Sequence, residues 1–368
     1  MKFYEYKAHE IFRKYGIPVP RGVLAGRPED LVDPPLPCAV KAQVLIGGRG
    51  KAGGIKFAKT AEEARAAAAA ILGMAIGPYT VHQVYAQEML DIAQELYLSI
   101  TIDRSARAPL LIASATGGMD IESVPSKKIL RVHIPPLVGI QPYVLRKLAK
   151  GLALPKDLAS QVSEITKKMY ALFEGEDAEL VEINPLAVLK DGRVVAGDAK
   201  LIVDDNAEYR HPEYAGLPQD RTALEEEAHG KGITFIQLDG DIGVIANGAG
   251  LTMATLDVLN LKGGRGGTFL DLGGTDDPEK VKEAFEILLK AHPSVILLNI
   301  FGGITKADTV ALGVKQALEA MHVDVPVVAR IKGVNEDRAR DILRGLGHPT
   351  DTMEEAAELA VKVRAGGG

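Results

Sequence analysis

From about Asp241 onward the chain repeats one local grammar: a short, nearly unbroken apolar run, then an amphipathic segment with helical spacing. DIGVIA leads to LTMATLDVLNL, TFLDL to PEKVKEAFEILLKA, and SVILLNIF to TKADTVALGVKQALEAM. VPVVARIKG leads to NEDRARDILRGL, and a closing helix covers TMEEAAELAVKVR. An alternating strand can leave one face in water, whereas a continuously apolar strand needs cover on both faces. Such strands separated by helices predict a flavodoxin-like, doubly wound parallel sheet.

The preceding residues follow different rules. A first helix over Tyr4 to Tyr15 ends at Gly16, and strand-like pieces follow at Pro37 to Gln43 and Gly54 to Lys59. TAEEARAAAAAILG is a helix with Thr60 as its cap and Glu63 three residues on. ELYLSITID and PLLIASA alternate as sheet strands, LASQVSEITKKMYALFE is amphipathic, and EINPLAVLKDGRVVAGDAK is a hairpin turning at Asp191-Gly192. The fold class is therefore α/β, an α+β domain over 1–228 followed by the flavodoxin-like domain over 229–368. The polar stretch DDNAEYRHPEYAGLPQDRTALEEEAHGKG marks the boundary, and residues from about 20 to 95 form a first subdomain.

A formal charge of −6 and only 5% aromatic residues argue against general nucleic-acid binding. The lone Cys38, in the buried-strand pattern PCAVKA, permits no internal disulfide and suits a reducing cytosol. MKFYEYKAHEIFRKYG has no apolar signal-like core and no run reads as a membrane span, so a soluble cytoplasmic protein is expected.

Three features carry chemistry. Gly48-Arg49-Gly50-Lys51-Ala52-Gly53 matches G-x-G-x-x-G, but GIKFAKT continues as a strand rather than the helix a dinucleotide site needs. A strand, glycine-rich turn and strand make a flap able to lay backbone N–H groups and Arg49 over phosphate oxygens, with Lys41 on the strand before it. The same pattern also makes an ordinary surface hairpin.

In the second feature, Glu182 and Asn184 share a strand face. A two-residue turn at Asp191-Gly192 pairs Asn184 with Ala199, whereas a three-residue turn of Lys190, Asp191 and Gly192 pairs it with Asp198. The second register gathers Glu182, Asn184 and Asp198, an oxygen-donor set suited to Mg²⁺ shared with phosphates. The third feature is a pair of glycine-rich strand-to-helix junctions, IANGAGLTMATL with Asn247 and NIFGGITKADTV with Thr305, on the carboxyl edge of the sheet. None of the eight histidines has metal-ligand spacing or a catalytic setting; His9, His82 and His133 read as structural or exposed.

With these residues in view, the chain resembles the beta subunits of succinate–CoA ligases from end to end. The resemblance rests on FYEYKAHEIFRKYGIPVP, VKAQVLIGGRGKAGG, DIAQELYLSI, VEINPL, GDAKL, NGAGLTMATLD, FLDLGG, LNIFGGIT and VPVVARIKG. It implies an ATP-grasp fold for the first half and a CoA-ligase domain for the second. It also implies that Lys41, Gly48, Arg49 and Gly50 contact nucleotide phosphates, and that Glu88, Leu90 and Glu95 line the nucleotide site. The stretch between Glu88 and Glu95 is one residue shorter than the common pattern. Asn184 and Asp198 match the Mg²⁺ ligands, and Glu182 a carboxylate that contacts a visiting phosphohistidine. Asn247, Gly303, Ile304 and Thr305 match a succinate and phosphate site, with Thr305 standing where many relatives carry Val.

The implied reaction interconverts succinyl-CoA, phosphate and ADP or GDP with succinate, CoA and ATP or GTP. It runs through a phosphohistidine on a partner alpha subunit, which also holds CoA. Rival expectations are a malate–CoA ligase beta subunit, a stand-alone ATP-grasp carboxylate–amine ligase, and a nucleotide-sensing module.

Overall fold

A computed structural model describes residues 1–46, 48–77, 79–217, 221–303, 306–321 and 325–366. The chain divides into two compact units, Met1–Asp220 and Arg221–Gly368. The break precedes the expected 228/229 boundary because the helix Ala223–Gly230 packs with the second unit. Its Ala228 joins that unit's core, and Lys290 pairs with Glu227 at 2.6 Å.

Among the described residues the first unit holds two larger antiparallel sheets besides the short pair Ala75–Ile76 and Tyr79–Thr80. In the four-stranded one, Gly22–Ala25, Val84–Glu88, Cys38–Ala42 and Ile55–Ala58 lie side by side in that order. The flap expectation is met locally, since Cys38–Ala42 pairs with Ile55–Ala58 and Lys41 lies opposite Ile55. The helix Ala61–Ile71 starts where Thr60 Oγ1 accepts the Glu63 N–H at 3.2 Å, satisfying a donor that the helix cannot. It lays Ala64, Ala67, Ala68 and Ile71 on this sheet, where small side chains permit close approach.

The second sheet orders Val194–Ala196, Ala178–Leu189, Ile92–Asp103, Ala108–Ser114 and Ile129–His133, with Lys200–Val203 also paired to Ala178–Leu189. Its core includes Leu96, Leu98, Ile100, Leu111 and Met169. The helix Glu5–Lys14 adds Ala8, Ile11 and Phe12, a stripe at helical spacing. Full burial of Phe12 alone stabilises the unit by about 2–3 kcal/mol.

In the second unit the sheet order is Thr234–Gln237, Gly266–Asp271, Ile242–Ala246, Val295–Gly302, Val327–Gly333 and His348–Thr350. The first of these is antiparallel, an edge strand that the sequence pattern did not announce. The other five are parallel, in the chain order 2-1-3-4-5 of a flavodoxin-like sheet. One face packs on a core with Val281, Phe285 and Val314, the other on Leu259, Ala356 and Ala360. Both faces are thus covered, which is why these strands read as continuous apolar runs.

Candidate active site

The hairpin expectation is decided by one glycine. Leu186, Ala187 and Val188 pair with Ala196, Val195 and Val194, leaving Lys190, Asp191 and Gly192 as the turn, with Gly192 at φ +86°. The same register resumes beyond the break, where Glu182 pairs with Lys200. Asn184 and Asp198 therefore stand at opposed positions, and both line a cavity of about 470 Å³ together with Glu182. Glycine-rich-loop residues Gly48, Arg49, Gly50 and Lys51 line the same cavity.

A chain of four charges runs beside it. Arg49 Nη1 donates to Glu5 Oε2 at 2.6 Å and to the Ala42 carbonyl at 3.3 Å. Its Nη2 donates to both Asp198 oxygens, at 3.0 and 3.3 Å. Lys41 Nζ donates to Glu5 Oε1 at 2.6 Å, to Gln87 at 2.8 Å and to the Gly197 carbonyl at 3.4 Å. Lys41 is thus buried against Glu5 rather than among the residues that line the cavity.

Burial opposes the Glu5 charge, but Lys41, Arg49 and His9 outweigh it and hold its carboxyl well below the usual range. Asp198 moves the other way, raised by burial first and by the Glu5 charge next. In this state Arg49 fills the role of counter-ion to Asp198.

Asn184 is held from the other side. Its Oδ1 accepts the Gly118 N–H at 2.7 Å and its Nδ2 donates to the Met119 carbonyl at 3.0 Å. The next residue, Asp120, pairs with Lys51 at 2.9 Å across the cavity mouth. Glu182 accepts from the Tyr97 hydroxyl at 2.7 Å, and burial followed by the Glu182 charge raises that phenol's pKa. Glu95 lies near this clamp, since a Cβ on Gly118 would sit 2.0 Å from its Oε2.

Glu88 and Leu90 are not brought to the cavity. Glu88 pairs with Arg21 at 2.9 Å, and Leu90 packs on the small cluster of Ala187, Leu189 and Val195.

Glu5, Tyr97, Asp120 and Lys200 are cavity residues that the motifs did not single out. Only Glu5 carried a signal: it occupies the same helix stripe as Ala8, His9 and Phe12, an odd place for a carboxylate unless it is paired.

In the second unit Asn247 follows the strand Ile242–Ala246 and faces the end of Val295–Gly302, the two strands flanking the topological switch point. Asn247 Nδ2 donates to the Phe301 carbonyl and its Oδ1 accepts the Phe301 N–H, each at 2.9 Å. Gly303 lies just beyond and is exposed, whereas Ile304 and Thr305 fall outside the described residues.

An Asn oxygen opposite a carboxylate is an all-oxygen donor pair that fits Mg²⁺ shared with phosphates, once Arg49 leaves Asp198. The cavity thus brings the cationic Arg49 and Lys51 together with the oxygens of Glu182, Asn184 and Asp198, a combination able to serve phosphoryl transfer.

Comparison with known proteins agrees with both halves of this description. Residues 2–188 match the family model described as an ATP-grasp domain, and residues 245–364 the one described as CoA-ligase. The succinate–CoA ligase (ADP-forming) subunit beta of Bacteroides thetaiotaomicron is 44% identical over 375 residues, 98% of this chain and 100% of that protein. The protein of the same name from Pyrobaculum calidifontis is 46% identical over 382 residues, 99% of each chain. Among solved structures, ATP citrate lyase from Methanothrix soehngenii shares the fold with a TM-score of 0.70, at 19% identity and over 98% of this chain and 99% of that one. By full-length identity and by both domain matches, the chain belongs to the succinate–CoA ligase beta-subunit family of CoA ligases.

Proposed function

We propose that this chain is the nucleotide-binding beta subunit of a succinate–CoA ligase, acting with an alpha subunit that carries the phosphohistidine and the CoA site. The observation that carries this is the convergence of Arg49, Asn184 and Asp198 on one cavity, the first two inside the ATP-grasp match over 2–188 and the third on the returning side of the hairpin just beyond it. The relatives are named ADP-forming, so ADP is the nucleotide proposed.

Arg49, with backbone N–H groups of its glycine loop, meets the nucleotide phosphates, and Lys41 adds positive charge from behind Glu5, outside the cavity lining. Asn184 and Asp198 would hold Mg²⁺, which when bound offsets the negative charge gathered on the transferring phosphate. Glu182, already a hydrogen-bond acceptor, orients the imidazole of the visiting histidine. An N–P bond on that imidazole breaks as an O–P bond to ADP forms, and protonated imidazole is a good leaving group. The chain's contribution is positioning and charge neutralisation rather than a covalent bond of its own. Asn247 and Gly303, at the switch point of the other unit, form part of the succinate and phosphate site.

The test is reconstitution. The purified chain alone should give no CoA-dependent ATP synthesis from succinyl-CoA, and addition of its alpha subunit should restore it. Running ADP against GDP and succinate against malate identifies the substrates. Asp198→Ala and Lys41→Ala should each cut nucleotide-dependent turnover by at least about 100-fold while the subunits still co-purify. Turnover by the chain alone, or full turnover by both variants, would sink the proposal.

A further inference from the structure

A guanidinium presents two donor edges, and in Arg49 they have unlike partners. Nη1 is turned inward, onto Glu5, whose side chain is 1% exposed, and onto the Ala42 carbonyl. Nη2 is turned outward, onto Asp198, whose side chain is 33% exposed. The outer partner is the one more open to arriving ligands; the inner one touches the cavity but is almost wholly covered. Glu5 is moreover fixed from behind, because its other oxygen is held by Lys41 at 2.6 Å.

We propose that Glu5 is a positioning residue for nucleotide binding: it retains the Nη1 edge of Arg49 while the Nη2 edge passes from Asp198 to a nucleotide phosphate. This rests on the reading that Arg49 meets phosphate and Asp198 the metal.

The exchange needs such a pivot. When Asp198 turns to a metal ion, Arg49 loses one of its two carboxylates, and Glu5 is the one left to aim it. The loop backbone is tied by Ala52 N–H to the Gly48 carbonyl, Gly53 N–H to the Gly50 carbonyl and Gly54 N–H to the Arg49 carbonyl, bonds that fix the turn but not the long Arg49 side chain. Without Glu5 the guanidinium would have to be ordered by the nucleotide itself, and that ordering cost would appear as lost affinity. Gln would not substitute, since its amide N–H₂ either faces the Arg49 donors or gives up Lys41. Asp keeps the charge but is one methylene too short to span both cations.

The experiment measures Mg·ADP binding by calorimetry on the complex with the alpha subunit, alongside KM values for ADP and succinate. Glu5→Gln should raise the ADP Kd and KM by about tenfold or more, and Glu5→Asp by about threefold, with the succinate KM unchanged. Arg49→Ala serves as the reference. If Arg49→Ala binds ADP as the wild type does, the phosphate reading itself falls. If Arg49→Ala weakens ADP binding but both Glu5 variants retain wild-type affinity, even with lowered thermal stability, the Glu5 proposal is overturned and the phosphate site stands. Should Glu5→Gln fail to fold, Glu5→Asp decides alone. In the Arg49→Ala background Glu5→Asp should add almost nothing to the loss of affinity; full additivity would also overturn the proposal.

Discussion

The buried His9 should make the stability of the first unit sensitive to mild acid. Its side chain is fully buried, and neither ring nitrogen has a hydrogen-bond partner among the described residues. Glu5 lies one turn before it and Arg13 one turn after; Lys41, Arg49 and the Tyr85 ring face it from neighbouring elements. Burial first, then the three cations, lower its pKa from 6.5 to about 4 against the opposing pull of Glu5. Above pH 6.5 the ring is neutral whether the chain is folded or not, and the folded state gains nothing from further alkali. As pH falls below that value the unfolded chain takes up a proton that the folded one refuses until about pH 4. Stability therefore drops with pH, by about 2 kcal/mol at pH 5 and about 3 kcal/mol at pH 4.

Glu5 and Asp198 also titrate, with pKa shifts of opposite sign, so His9 is isolated by comparison with His9→Leu, which cannot take a proton. The chain has no tryptophan, so urea unfolding is best followed by far-ultraviolet circular dichroism, with hydrogen exchange of the helix Glu5–Lys14 as a local probe. Between about pH 7.5 and 5 the variant should gain about 2 kcal/mol relative to the wild type. A difference that stays flat within about 0.5 kcal/mol would refute a neutral, depressed His9.

Two substitutions in the second unit test how its sheet edge is held. Gly333 has φ +114°, and a Cβ there would lie 2.2 Å from the Gly302 carbonyl oxygen on the neighbouring strand, so Gly333→Ala should destabilise this unit by about 3 kcal/mol. A thermal melt that leaves Tm unchanged would show that this close approach is not real. Asn247→Ala removes both bonds to the Phe301 peptide and should cost about 1–2 kcal/mol. It should also raise the KM for succinate or phosphate and spare that for ADP; the opposite split would remove Asn247 from that site.

The parts legible in the sequence are those set by local rules. Parallel strands announce themselves by unbroken apolar runs, and Asp191-Gly192 announces the hairpin, but the sequence leaves its register open between a two- and a three-residue turn until the structure places Gly192 at positive φ in the second. That turn alone brings Asn184 opposite Asp198. The flap was readable for a similar reason, because a strand rather than a helix follows its glycines. What stayed hidden depends on partners remote in the chain. Lys41 looked like a residue aimed at phosphate, yet it is tied to a carboxylate 36 positions earlier. The clamp of Gly118 and Met119 on Asn184 joins segments 65 and 66 residues apart, and no spacing rule reaches so far. The acidic run reads as linker in sequence, although Thr222 caps a helix there and Ala228 belongs to the core of the second unit.

The amino-terminal residues have a further consequence for how the first unit comes together. Phe3 donates its N–H to Leu201 at 3.1 Å, and Arg49 reaches Asp198 across 149 positions, so the two ends of the unit close the same site. Contacts of such long range are slow to form and must await nearly the whole unit. During synthesis the segment carrying Lys41 and Arg49 leaves the ribosome long before the strand Lys200–Val203. The Arg49–Asp198 pair, spanning 149 positions, therefore forms only after that later strand has followed.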